Sequence, residues 1–391
     1  MLRQILQRLV RLAPGPARLA WQAVPASVRS RLGPLVHPIA VDRRRGAPEL
    51  AVEPPENAAR FAVAAPADVP AASLESYARA GHTVHGLADP GDIDLLLASE
   101  RLFDAVLVGG DPAYVDRARA AGWRTAAPEA SLAELRACFP AVSIVVPTFR
   151  NRRLCGHCLA AILKNTGWPS WELVVIDNGS RDGTAELVAG FVARDTRVRC
   201  ITNRDNVGFA RGINQGIRDS VAPYVVVLND DVVVAPGWLS RLVGHLERDE
   251  NLALVGAVTN QIGNRARVPA DYRSLDGMER LAAERAVRHA GELWELDVVA
   301  LFCAAARRTA LDSVGLLDER YEVGMFEDDD LSRALRSRGY RVATAADAFV
   351  HHVGQATLSQ LSDAEYLRLW EANKRRFEKK WRTSWVPPAV T

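Results

Sequence analysis

From about residue 141 the chain alternates short, apolar, β-branched runs with stretches whose apolar residues recur at helical spacing. The runs at 142–146, 173–176, 198–201, 224–228 and 252–258 predict strands, and the patterns at 154–164, 185–193, 209–219 and 237–248 predict the helices between them. Such alternation predicts a mostly parallel sheet covered on both faces, an arrangement that binds ligands beyond the carboxyl ends of its strands. Polar residues gather at those ends: Pro147-Thr148-Phe149-Arg150 after the first strand, Asp177-Asn178-Gly179-Ser180 after the second and Asn229-Asp230-Asp231 after the fourth. Three convergent polar strand ends are more than turn chemistry requires.

Upstream the pattern weakens. Residues 46–140 are rich in alanine and proline, with one clear strand at 104–108 followed by Gly109-Gly110-Asp111-Pro112 and a helical pattern through Ala121. They predict a small α/β module, and Gly109-Gly110 does not complete a dinucleotide fingerprint. Residues 1–45 form a separate basic segment. Leu2, Ile5, Leu6, Leu9, Val10 and Leu12 recur at helical spacing among arginines, as expected of an amphipathic helix lying on an anionic membrane surface. An organelle transit peptide or a helix packed on its own chain would read similarly. A C-terminal helix and tail, 359–391, closes a layout whose main domain is 141–358.

Charge sharpens this division. The 391 residues carry +2 overall, but nine arginines against the single acid Asp42 make the first 45 residues +8 and leave −6 for the rest. A body of that sign is not expected to bind nucleic acid. Five cysteines, odd in number and unevenly spaced, fit a reducing compartment, and no apolar stretch approaches the roughly 20 residues of a membrane span. The expectation is a cytoplasmic protein that is peripheral on the membrane's inner face through its first segment.

The strand ends suggest chemistry. Val225-Val226-Val227-Leu228 delivers Asp230 and Asp231 to a sheet edge, because uncompensated charges in a core are prohibitive. Magnesium and manganese take one or two carboxylates and fill their other positions with phosphate oxygens and water, so the pair implies a diphosphate. Asp177 is placed to accept a hydrogen bond from a base, and Arg204, Arg211 and Asn214 are candidates for a nucleotide pocket. Glu327-Asp328-Asp329-Asp330 opens a helix that ends near Gly339; the helix dipole accounts for two such acids, and the run beside Phe326 suggests a general base. His351 and His352 end another apolar run, where a histidine opposite a carboxylate pair suits a metal. Trp294 falls in the stretch 259–300, expected on the acceptor side. Cys155-Gly156-His157-Cys158 matches the active-site tetrapeptide of disulfide isomerases. No aromatic residue precedes it, and Cys158 also fits a helix face with Leu154, Ile162 and Leu163.

Together the motifs resemble the family 2 inverting glycosyltransferases of the GT-A fold. The resemblance covers about 141–357 and rests on Val146-Pro147-Thr148-Phe149, Ile176-Asp177-Asn178-Gly179-Ser180-x-Asp182-Gly183-Thr184, Asn206-x-Gly208-Phe209-Ala210, Leu228-Asn229-Asp230-Asp231, Phe326-Glu327-Asp328-Asp329-Asp330-Leu331 and His352-x-Gly354. The basic helix with Asn373, Phe377, Lys380 and Trp381 is similar to that family's C-terminal helix. The resemblance implies transfer from a nucleoside diphosphate sugar, UDP or dTDP preferred, to a hydroxyl of a glycan or lipid-linked acceptor, with Mg2+ or Mn2+ as cofactor. It places Asp177 on the base, Asp230 on the ribose side, Asp231 and His352 on the metal, and Asp328 as catalytic base. Pro147, Thr148, Asn178, Arg204, Asn206, Gly208, Asn214 and Asn229 complete the donor side, and Phe326, Glu327 and Trp294 the acceptor side. Asn229 departs from the first position of the family's Asp-x-Asp pattern, which leaves the metal chiefly on Asp231. A thiol–disulfide oxidoreductase and a non-catalytic sugar-binding protein are the alternatives of other classes.

Overall fold

The computed structural model describes residues 62–354 and 361–387, apart from 68, 80–82, 94–95, 97–104 and 122. The basic segment 1–45 and the membrane role expected of it lie outside the described residues. Strands β1 (Ala62–Pro66), β2 (Thr83–Leu87), β3 (Ala105–Val108) and β4 (Arg124–Ala126) pair in parallel in the order β2-β1-β3-β4. This small sheet does not stand apart as a separate module. Val63, Val106 and Val108 share one core with Ile144 and Trp168 of the larger domain. Phe139 meets Trp168 edge to face with centroids 5.0 Å apart, and Arg124 lies over the Trp168 ring while pairing with Glu247. The described residues of 62–270 accordingly fall in one compact unit with those of 279–387.

The larger sheet starts as expected. Strands β5 (Val142–Thr148), β6 (Trp171–Asp177), β7 (Val198–Thr202) and β8 (Tyr224–Leu228) are all parallel, in the order β8-β5-β6-β7. Their sequences read as continuous apolar runs because both faces are covered. Ile144, Val146, Leu173 and Val175 face the helix Arg152–Asn165 through Leu159 and Ile162, whereas Val145, Val174 and Ile176 face Ile213 and Ile217 of the helix Phe209–Asp219. A Cβ on Gly216 would stand 2.4 Å from Val145 Cγ1, so glycine is what lets this second helix approach β5.

Beyond β8 the sheet becomes mixed. Strands β9 (Val232–Val234), β10 (Leu252–Thr259), β11 (Leu293–Glu295), β12 (Cys303–Arg307) and β13 (Arg341–His352) complete nine strands in all. The alanine-rich β12 inserts antiparallel between β8 and β10, and β13 runs parallel to β10, with β9 and β11 antiparallel to it. Six strands thus share one direction and three oppose it, and the α/β architecture remains mostly parallel.

β13 carries a three-residue bulge, since Ala257 faces Ala345 but Val258 faces Phe349. Asp347 sits on it, its side chain wholly buried between His245 Nε2 at 2.8 Å, the Gly291 amide at 3.0 Å and Arg241 at 3.9 Å. Burial alone would raise the Asp347 carboxyl, but its His245 bond and the nearby His245 and Arg241 charges hold it below the ordinary value. Removing one partner of a buried charge cluster costs about 3–5 kcal/mol. Asp347→Ala is expected to lower stability at pH 7 by about that amount, read as a lower urea midpoint. A carboxyl depressed in the folded state contributes stability that is lost as pH falls through its folded value, so the difference between variant and parent should shrink in acid.

Candidate active site

A cleft of about 300 Å³ opens where the carboxyl ends of β5, β6 and β8 meet the end of β13 and the start of the helix Glu327–Ser337. Pro147, Thr148, Asn178, Asn206, Asn229, Asp230, Asp231, Glu327, Asp328 and His352, all singled out from sequence, line it together. No lysine or arginine is among its described lining residues.

Asp230 is buried under the cleft floor and accepts hydrogen bonds from Thr148 Oγ1 at 2.6 Å and Asn151 Nδ2 at 3.1 Å. Burial, with the adjacent Asp231 charge, pushes its carboxyl up to about 7 against the opposing pull of those bonds. Asp231 has its Oδ1 3.2 Å from His352 Nε2. The His352 ring stacks on Phe302 with centroids 4.9 Å apart, and its Nδ1 lies 2.9 Å from the Gln261 carbonyl. A carbonyl only accepts, so Nδ1 carries a proton, and in the neutral ring Nε2 presents a lone pair toward Asp231. Asn260 fixes the same histidine's backbone, donating to its carbonyl and accepting from its amide.

Asp231 Oδ1 and His352 Nε2 are both buried without a hydrogen-bond donor, as is Asn229 Oδ1. Two converging acceptors with nothing between them fit a hard divalent cation, which binds carboxylate and imidazole readily. Among the described residues no group of three or more His, Cys, Asp or Glu side chains gathers around such a position. An ion held there would draw its remaining ligands from phosphate and water.

The four-acid run is divided by its partners. Asp330 is tied to the C-terminal helix Asp363–Trp381, accepting from Lys380 Nζ at 2.6 Å and Trp381 Nε1 at 2.8 Å, and also from Tyr321. Asp329 accepts from Trp385 Nε1 at 2.7 Å. Only Glu327 and Asp328 face the cleft. Burial raises both carboxyls, Glu327 to about 7 and Asp328 well above the usual range, with mutual repulsion in this run adding to the shift. Before them, Val323, Met325 and Phe326 have φ of 62°, 79° and 75°, a left-handed course that side-chain-bearing residues seldom take.

Several expected residues serve elsewhere. Asn214 is fully buried and consumed by Leu317 and Glu319, donating to both and accepting from the Leu317 amide, so it pins a loop. Trp294 sits on the edge strand β11 and donates to Glu292, away from the cleft. The Phe326 ring is buried against Trp370, Phe377 and Trp385 and not turned to an acceptor. Arg204 points to solvent, and its carbonyl would be 2.8 Å from a Cβ at Gly179, whose φ is +74°. Gly208 lies under the cleft wall, where a Cβ would press on the Val323 amide. Asp177 is fully buried at the end of β6, with Oδ1 on the Ser180 amide and Oδ2 without a donor. Cys155 and Cys158 are fully buried free thiols whose values burial raises, the reverse of a reactive redox pair.

Asn151, Gln261 and Phe302, which order Asp230 and His352, were not singled out by sequence, nor was the apolar wall of Ile262, Ala300, Leu301 and Met325. Only Asn151, four residues after the polar end of β5 begins, carries a signal that could have found it.

Comparison with known proteins accords with the motifs. Residues 143–315 match the model of glycosyl transferase family 2. An uncharacterized protein of Sinorhizobium fredii is 28% identical over 255 residues, 62% of this chain and 28% of its own length. An N-acetylglucosaminyltransferase of Rhizobium meliloti is 30% identical over 230 residues, 56% of this chain and 52% of its own. Among solved structures, a mannosyltransferase from Pyrobaculum calidifontis, in complex with GDP-Man and Mn2+, aligns with TM-score 0.46 and 21% identity over 63% of this chain and 66% of that one. The chain spans between 28% and 39% of the length of the first three curated relatives it matches. Over residues 143–315 the chain is therefore similar to the glycosyl transferase family 2 domain, within an α/β body whose central sheet is mostly parallel.

Proposed function

We propose that this cleft transfers a sugar from a nucleoside diphosphate donor to a hydroxyl acceptor in a single displacement that inverts the anomeric centre. The observation that carries the reading is the unpartnered Asp231–His352 pair in a cleft with no described lysine or arginine, since a diphosphate could not approach those carboxylates without a cation. Mg2+ or Mn2+ held by Asp231 and His352 would supply Lewis-acid stabilisation of the charge that grows on the departing diphosphate. Thr148 and Asn151 fix the Asp230 carboxylate, and in this reading Asp230 serves the donor's ribose side. Asp328, in the first turn of the helix Glu327–Ser337, accepts the acceptor's proton, and the apolar wall excludes water that would compete as acceptor.

UDP or dTDP is the preferred nucleotide, with Asp177 beneath the base. The acceptor is a glycan or its lipid-linked precursor. The similarity to an O-antigen biosynthesis protein of Myxococcus xanthus and to the Rhizobium meliloti N-acetylglucosaminyltransferase supports this class. A thermal-shift screen of nucleotide sugars with Mn2+ tests the donor, because a ligand at one hundred times its Kd adds about 2.7 kcal/mol to apparent stability. No stabilisation by any nucleotide sugar would refute the proposal.

Asp231→Ala is expected to abolish the Mn2+-dependent part of nucleotide binding in calorimetric titration, and manganese-dependent affinity surviving in that variant would remove Asp231 from the metal. Asp328→Asn should fold and bind donor with metal yet lose 10²–10⁴-fold in transfer, the usual contribution of a general base. Asp329→Asn, whose side chain is occupied by Trp385, should be far milder. If Glu327→Gln is inactive while Asp328→Asn is not, the base is Glu327.

The base must be ionised to work, and burial raises both Glu327 and Asp328. The parent's kcat/KM should therefore fall as pH drops through the neutral range, well above the ordinary carboxylate value near 4. A flat profile down to pH 5 would contradict this.

A further inference from the structure

The loop that carries Gly324 and Met325 into the cleft is held by a side chain that lies outside the cleft's lining. Asn373, on the C-terminal helix, has no exposed surface. Its Nδ2 lies 2.9 Å from the Gly324 carbonyl and 3.3 Å from those of Glu322 and Met325. Three carbonyls thus converge on the two protons of one amide. The opposite oxygen is engaged too, accepting from Arg376 at 2.7 Å, which fixes which end of the amide faces the loop. Arg376 in turn pairs with Glu322, so the start of the loop is held by both residues.

The segment so gripped is the one with left-handed φ at Val323, Met325 and Phe326. Such a course persists only where surrounding structure over-determines it, and it gathers at sites where a loop must present backbone or side chains in one arrangement. Other supports include the Phe209 amide, which donates to Val323, the Gly324 amide, which donates to Glu322, the Asp330 amide, which donates to Phe326, and the burial of the Phe326 ring. None of these reaches the carbonyls of Gly324 and Met325. Loss of the Asn373 donor would leave the buried Gly324 carbonyl and the half-buried Met325 carbonyl without the donor they share.

We infer that Asn373 is the positioning residue that holds the loop 323–326 in its left-handed course and so sets Glu327 and Asp328 against the cleft. The inference rests on the transfer reading of the cleft. It requires that Asn373 affect turnover without touching donor or metal.

Asn373→Asp tests it in the full chain, because the substitution keeps the side chain's size and its acceptor for Arg376 but replaces the donating nitrogen with an oxygen. Hydrogen–deuterium exchange across 322–330 should accelerate at least tenfold while β5 and β8 are unchanged. Affinity for UDP with Mn2+ should stay within threefold of the parent. Turnover of the donor identified by the screen should fall more than tenfold, with the acid limb of its pH profile moving toward ordinary carboxylate values as water reaches the loosened acids. Asn373→Gln, which keeps the amide but displaces it by one methylene, serves if the first variant does not fold. Unchanged exchange over 322–330, turnover within threefold of the parent, or UDP affinity falling as far as turnover overturns the inference. So does loss of fold in both variants, which would make Asn373 a residue of the core. Failure of the underlying reading looks different: Asp328→Asn and Glu327→Gln would then both remain active in the otherwise unaltered chain, and the inference falls with it.

Discussion

The site depends on crowding carboxylates into a space that offers them no cationic side chain among the residues described. Asp230, Asp231, Glu327 and Asp328 line one cleft, and like charges gathered in a poorly hydrated pocket oppose one another. Each is accommodated in a different way. Asp230 takes two hydrogen bonds and is still raised from 3.8 to about 7, roughly 4 kcal/mol against its charged form. Asp231 is left facing an imidazole lone pair, a contact that only a cation or a proton makes favourable. The neighbouring Asp329 and Asp330 are drawn away to two indoles and a lysine.

Much of this was legible from the chain because burial on both faces writes itself into the strands. The parallel half of the sheet follows from the runs at 142–146, 173–176, 198–201 and 224–228, whose observed ends differ by no more than two residues. The polar ends of β5, β6 and β8 converge because parallel strands in one sheet end on one side. The mixed half was not legible. β12 is Cys303-Ala304-Ala305-Ala306-Arg307, a composition equally at home in a helix, and nothing local shows that it will enter between β8 and β10. That insertion brings Ala300, Leu301 and Phe302 to the cleft, and so the apolar wall and the ring stacked on His352 were both invisible.

Residue type misled where one chemistry has two uses. Asn214 carries the donors a nucleotide pocket wants, yet a buried amide is equally suited to closing a loop, as Asn214 does on Leu317. Asn206 and Gly208 separate the same way: the asparagine lines the cleft, while the glycine supplies room beneath it for Val323. The thiols of Cys155 and Cys158 have the spacing of a redox motif, but they face the inside of the helix Arg152–Asn165, where burial suppresses the thiolate.

The C-terminal helix explains how the acidic run can be both strained and stable. Three left-handed residues with side chains cost about 1–2 kcal/mol each, so 323–326 carries roughly 3–6 kcal/mol that local sequence cannot recover. Beyond the local backbone bonds and the Phe209 amide, the compensating side-chain contacts named here come from one distant element: the amide of Asn373, the rings of Trp370 and Phe377, and Lys380 and Trp381 on Asp330, with Trp385 just beyond its end. A loop whose geometry is supplied by an element some fifty residues away cannot be read from its own sequence. It can, however, be altered without touching a residue that meets substrate, which separates the shape of the cleft from its chemistry.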